Sequence, residues 1–130
     1  MIAWMHRTPP RVVILVCAVA AGLLVGAAVH VTDLLHHGLR PYDWAPRWLN
    51  LYWSSLALLD PLAAALLIGG KRRGTDLACL VLTTDLAANW YATYGIQSSN
   101  LAAQPGLQRL VVFAALVLGT APFVRRRLAA

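Results

Sequence analysis

Residues 12–31 read VVILVCAVAAGLLVGAAVHV, with no charged side chain among them. At a rise of 1.5 Å per residue such a run makes a helix about 30 Å long, the thickness of a bilayer's hydrocarbon core. Backbone N–H and C=O groups cannot face lipid unpaired, so the stretch must be helical rather than an open strand. Three comparable runs lie further along the chain. Trp48 to Gly70 carries one charge, Asp60, and Leu77 to Ile96 carries one, Asp85. Leu107 to Val124 is the shortest, with Arg109 at its end placed to snorkel. The reading is an all-α integral membrane protein, a four-transmembrane-helix bundle. Residues 1–130 then form a single membrane domain with helices at 12–31, 48–70, 77–96 and 107–124.

Composition agrees. The chain has 130 residues, 59% hydrophobic and 12% charged, with a mean hydropathy of +0.62. Soluble domains carry about a quarter charged residues, twice this share. Disorder, a disulfide scaffold and a two-domain enzyme are excluded. Eleven Lys+Arg face five acidic residues, all Asp, for a net charge of +6. The cations sit in clusters between uncharged runs rather than in a stripe on a soluble fold, so no nucleic-acid partner is expected. Arg7, Arg11, Lys71, Arg72, Arg73, Arg125, Arg126 and Arg127 fall on one side, against Arg40, Arg47 and Arg109 on the other. The positive-inside rule then makes both termini cytoplasmic. Tyr42, Trp44, Trp48, Tyr52, Trp53, Trp90, Tyr91 and Tyr94 crowd the opposite half as an aromatic belt.

The first apolar run exceeds the roughly 7–15 residues of a signal-peptide core, so it reads as a retained helix. Cys17 and Cys79 fall in the cytoplasmic halves of their helices, where a disulfide is not expected. The scarcity of Lys, the lack of Glu and the richness in Ala, Leu, Val and Arg suggest a GC-rich bacterial genome, and the expected location is then the bacterial inner (plasma) membrane.

Ionisable side chains inside a bilayer cost at least a few kcal/mol each and default to functional candidates. Asp60 and Asp85 lie at matching depth, near the midplane, on helices that the short Lys71–Asp76 connection forces together. If the two carboxyls meet in a dry site both cannot ionise, and Asp60 and Asp85 become the candidate catalytic acids. Asn89, four residues after Asp85, shares its face and can hydrogen-bond to it. Trp53 lies two turns above Asp60, and Trp90 supplies a further aromatic wall. Pro61 removes an amide donor beside Asp60. The plainer alternative is that both acids only bond across helices as packing glue. Thr75 and Asp76 read as an N-cap and first turn, with Asp76 a solvated capping or ion-pairing residue.

His30, Asp33 and His37 follow i, i+3, i+7 spacing at the far end of the first helix. That pattern can bind zinc. One carboxylate, no nearby Cys and the helix-ending Gly38 and Pro41 argue instead for a polar cap over a ligand cavity. No metal and no cofactor are expected. Gly22 and Gly26 make a small-residue seam that either packs inside the bundle or joins a homodimer. Tyr42, Trp44, Pro46 and Trp48, with Asp43 and Arg47, form an interfacial loop, read as part of the aromatic belt with a local ion pair.

The order of these features, namely a helix ending in His30 and Asp33, a loop with Asp43, then Asp60–Pro61 in the second helix, a basic loop and two more helices, resembles the EXPERA-type four-helix membrane proteins. That group contains the emopamil-binding sterol isomerases and the sigma-2 receptor. The resemblance spans nearly the whole chain and implies a lipid-accessible cavity whose acids and aromatics grip a cationic amine or a carbocation-like sterol. It also implies that Asp33 and Asp43 are paired acids at the cavity mouth. Where the family usually places a Glu in the second helix, this chain has Ser54 and Ser55.

Three functions follow. The first is a protein that binds a hydrophobic, sterol-like or amine-bearing small molecule, with isomerisation by protonation as its enzymatic form. Asp60 or Asp85 is then the acid, and Asp33, Asp43, His30, Trp53, Asn89 and Trp90 line the site. The second is a small dimeric proton-coupled transporter using the Gly22 and Gly26 seam. The third is a non-catalytic subunit or assembly factor of a membrane complex. In all three the surrounding partner is membrane lipid.

Overall fold

The computed structural model of the chain describes residues 2–130. Its four long helices are α1 (Pro10–His37), α2 (Arg47–Ile68), α3 (Arg72–Tyr91) and α4 (Pro105–Arg125). A π turn, Ala92–Ile96, continues α3, and short 3₁₀ turns precede α1 and α4. By length and apolarity α1, α2 and α4 can each cross a membrane. α3 is not in that set, because Arg72, Arg73, Asp76 and Asp85 all fall within it.

The ends follow from local chemistry. Pro10 opens α1 where a missing N–H costs nothing. Gly38, at φ 72°, closes it by donating its N–H to the Leu34 carbonyl at 2.9 Å, so α1 reaches His37, beyond position 31. α2 runs through Pro61 without a break.

α3 begins at Arg72, earlier than its apolar run. Gly70 takes the left-handed conformation at φ 71°, and the turn from α2 needs only Gly69, Gly70 and Lys71. A first-turn N–H has no intrahelical acceptor; here the Arg72 N–H donates to the Ala129 carbonyl at 2.8 Å, and the Ala129 N–H donates to Gly70 at 2.9 Å. Thr75 is therefore a buried interior residue rather than an N-cap. Asp76 accepts from Arg125 Nε at 2.6 Å, the ion-pairing role of the two open to it. Its carboxyl is held below the usual range by that hydrogen bond.

Burial follows helical spacing: Val12, Val16, Val19, Leu23 and Ala27 in α1, and Leu49, Trp53, Leu56, Asp60, Ala63 and Leu67 in α2. α1 packs along α2, α2 along α3 and α3 along α4, whereas α1 and α4 meet at few positions. Gly74 lets α3 press on α2: a Cβ there would lie 2.5 Å from the Leu67 nitrogen. Outward-facing side chains are largely apolar, with Leu35, Leu58, Leu80 and Val112 each at least 61% exposed. A water-facing monomer rarely carries so continuous an apolar exterior.

The Trp4 indole N–H donates to the Ile68 carbonyl at 2.8 Å, and its ring covers Gly70. With the Ala129 bridge, this gathers the N-terminal segment, the α2–α3 turn and the C-terminal segment at one basic end. The loops at 38–46 and 97–104 lie at the other, aromatic end.

Candidate functional site

The aromatic end is shaped by one buried amide. Asn50, 1% exposed, accepts from the Tyr42 N–H at 2.9 Å and donates to the carbonyls of Tyr42 and Ala45 at 2.8 and 3.1 Å. These bonds fold the loop after α1 back over the first turn of α2. Tyr42 is thereby aimed across the bundle, and its hydroxyl donates to Asp33 Oδ2 at 2.5 Å. Burial, then the Asp33 hydrogen bond, pushes the Tyr42 phenol above its ordinary pKa. The Tyr42 ring meets Trp53 edge-on at 4.9 Å between centroids, and Trp44 lies 6.0 Å from Trp53. Three rings thus form a corner over the gap between α1 and α3.

Below that corner lies a cavity of about 660 Å³, open to the outside, where α1 and α4 diverge. This is an ordinary size for a small-molecule site. Asp33 and His30 enter it from α1, Asp85 and Asn89 from α3, and Arg109 and Phe113 from α4. The π turn at the end of α3 adds Thr93, and Gln97 follows it; such turns re-aim side chains that a regular helix would place elsewhere. Phe113 sits over Gly22, where a Cβ would come within 2.5 Å of its ring, and so forms the floor. Beneath it α1 and α4 close on an apolar crevice of only about 10 Å³.

Asp85 is the acid at the wall. Asn89 Nδ2 donates to its Oδ1 at 2.8 Å, the contact its spacing predicts, and to its backbone carbonyl at 2.9 Å. His30 Nδ1 is buried in this region without a hydrogen-bond partner among the described residues. A carboxyl held by an amide, in a cavity that Tyr42, Trp44 and Trp53 also line, is suited to a cationic or cation-like group.

Asp60 stands apart from the cavity lining. It is 5% exposed and its Oδ1 has no hydrogen-bond partner among the described residues. Its Oδ2 lies 2.9 Å from where a Gly26 Cβ would be, so the carboxyl fills the space that Gly26 leaves empty. No hydrogen bond joins Asp60 to Asp85; Asp85 lines the cavity, whereas Asp60 lies against Gly26 and is not among the lining residues. The seam residues Gly22 and Gly26 both face inward, against Phe113 and Asp60, so their close contacts lie inside this chain.

The other sequence candidates divide. Asp33, His30, Trp53 and Asn89 come together at the cavity. Asp43 is exposed and is not among the residues lining this cavity, and the expected Asp43–Arg47 ion pair is not formed. Trp90 stacks on Tyr94 at 4.9 Å, on the outer surface between α3 and α4. Tyr42, Trp44, Arg109 and Phe113 are cavity residues that the sequence reading had placed elsewhere or passed over. A signal was available for Arg109 and Phe113, whose i, i+4 spacing puts them on one face of α4. No protein-family model, curated protein or solved structure matches this chain.

Proposed function

We propose that this chain is a four-span membrane protein whose cavity binds an amphiphilic molecule with a cationic or cation-like head, entering from lipid between α1 and α4. The observation that carries the reading is the Asp85–Asn89 pair at the wall of an open cavity, beside the Tyr42, Trp44 and Trp53 rings. An ammonium there would be desolvated, paired with a carboxylate and faced by π systems, each of which favours a cation.

Support for α3 as the fourth span comes from where its charges lie. Arg72, Arg73 and Asp76 are at its basic end, and Asp85 faces the cavity. Its outward face is Leu80, Thr83, Ala87 and Trp90, none of them charged. In this reading the basic end is cytoplasmic, the aromatic end lies across the membrane, and a bacterial inner membrane is the setting.

Asp85 is also the group placed to protonate a guest double bond and take a neighbouring proton back, which would isomerise a sterol-like alkene with no cofactor. Asp60, behind the wall, lacks that access.

The test is thermal unfolding in a non-ionic detergent with dodecylamine or dodecanol added. The amine should raise the melting temperature of the wild type and the alcohol should not. Asp85→Asn should abolish the amine effect, while Asp60→Asn should keep it. Equal stabilisation of wild type and Asp85→Asn by the amine would overturn the proposal.

A further inference from the structure

Arg109 borders two hollows. It lines the cavity, and with Phe113 it also lines a groove of about 390 Å³ on the flank of α4, extended by Val112 and Leu116. Positions 109, 112, 113 and 116 fall on one helix face, and Val112 is 70% exposed, so the groove looks outward. Chamber and groove share Arg109 and Phe113 as a common rim, with Asp85 and Asn89 on the chamber side and Gln108, Val112 and Leu116 on the groove side.

Arg109 makes no ion pair and no side-chain hydrogen bond among the described residues. A guanidinium beside hydrocarbon is satisfied best by an anion with oxygens to accept its forked donors. At the inner end stand Asp85 and the aromatic corner, the arrangement that suits a quaternary ammonium.

We infer that the guest is a single-tailed zwitterion with its charges in a fixed order. A quaternary ammonium lies at the head against Asp85 and the rings. A phosphate diester sits at the junction of head and tail against Arg109, and one alkyl chain runs along Val112, Phe113 and Leu116. A lysophosphocholine-type lipid has this order. The inference rests on the reading that the cavity takes a cationic amphiphile, and adds to it the anion, its position and the track of the tail.

The experiment uses three probes with one dodecyl tail: dodecylphosphocholine, dodecyltrimethylammonium, and a dodecyl sulfobetaine whose charges come in the reverse order. Each is titrated into the full chain in a maltoside detergent, with tryptophan fluorescence and melting temperature as readouts. The wild type should bind the phosphocholine about tenfold tighter than either other probe. Arg109→Gln should remove that advantage, while Arg109→Lys, which keeps the charge, should restore part of it. Asp85→Asn should weaken both probes that carry the ammonium at the head. A wild type that binds phosphocholine no better than trimethylammonium or sulfobetaine, or an Arg109→Gln variant that keeps the preference, overturns the charge order alone. Failure of both head-cation probes to bind overturns the underlying reading as well.

Discussion

Asn50 holds the loop after α1 through bonds to Tyr42 and Ala45, and it does so from a site with almost no solvent access. Replacing it by Leu keeps the volume but leaves a buried N–H and two carbonyls unpaired. The cost should be about 1–3 kcal/mol, read as a lower melting temperature, together with changed tryptophan fluorescence as Trp44 loses its seat. An Asn50→Leu variant that melts with the wild type would show that the loop needs no such pin. Tyr42 makes a second prediction at this scale. Burial and the Asp33 hydrogen bond raise its phenol pKa in the folded chain. The neutral phenol is thus favoured by folding, and that contribution is full below the unfolded value of about 10 and is lost as pH rises through the folded one. Melting temperature should fall with pH above that point in the wild type and fall less steeply in Tyr42→Phe.

The helices themselves depend on where backbones can approach. Gly74 faces the Leu67 nitrogen, a backbone atom that cannot yield, so Gly74→Val should force α2 and α3 apart and cost at least about 1–3 kcal/mol. Gly119, in the interior of α4 with nothing within 4 Å of a built Cβ, is the contrast: Gly119→Ala should be neutral or stabilising by about 0.5–1 kcal/mol. Melting temperatures that move alike in the two variants would remove the close-approach argument. The same elements show what the sequence could reveal. Long apolar runs mark α1, α2 and α4 because a bilayer demands them, and the Asp85–Asn89 contact follows from spacing along one helix. The start of α3 was hidden, because its acceptor is Ala129, far along the chain. Depth along a helix is legible from residue number, but rotation about its axis is set by neighbours. Asp60 and Asp85 therefore read as equals, although only Asp85 lines the cavity while Asp60 fills the space at Gly26. Arg109 read as a snorkelling end residue for the same reason: its number gives its height and not the two hollows it divides.

Across the whole molecule, the basic end constrains how often the chain crosses the bundle. Trp4 is bonded to Ile68, and Ala129 is bridged to the α2–α3 turn, so the segments before α1 and after α4 meet the same turn. α1 leaves that end and α2 returns to it. α4 also returns to it, so α3 must carry the chain away once more, over 20 helical residues or about 30 Å. Three crossings would leave the two ends of the chain on opposite faces and break both contacts. Single cysteines placed at Ser98 and at Arg127, in a background with Cys17 and Cys79 changed to serine, test this directly. In oriented membranes a membrane-impermeant maleimide should label Ser98→Cys from one face only and Arg127→Cys from the other only. An additional cysteine at Arg7 should follow Arg127. Labelling of Ser98→Cys and Arg127→Cys from the same face would place α3 outside the bilayer, and with it the Asp85 wall of the cavity.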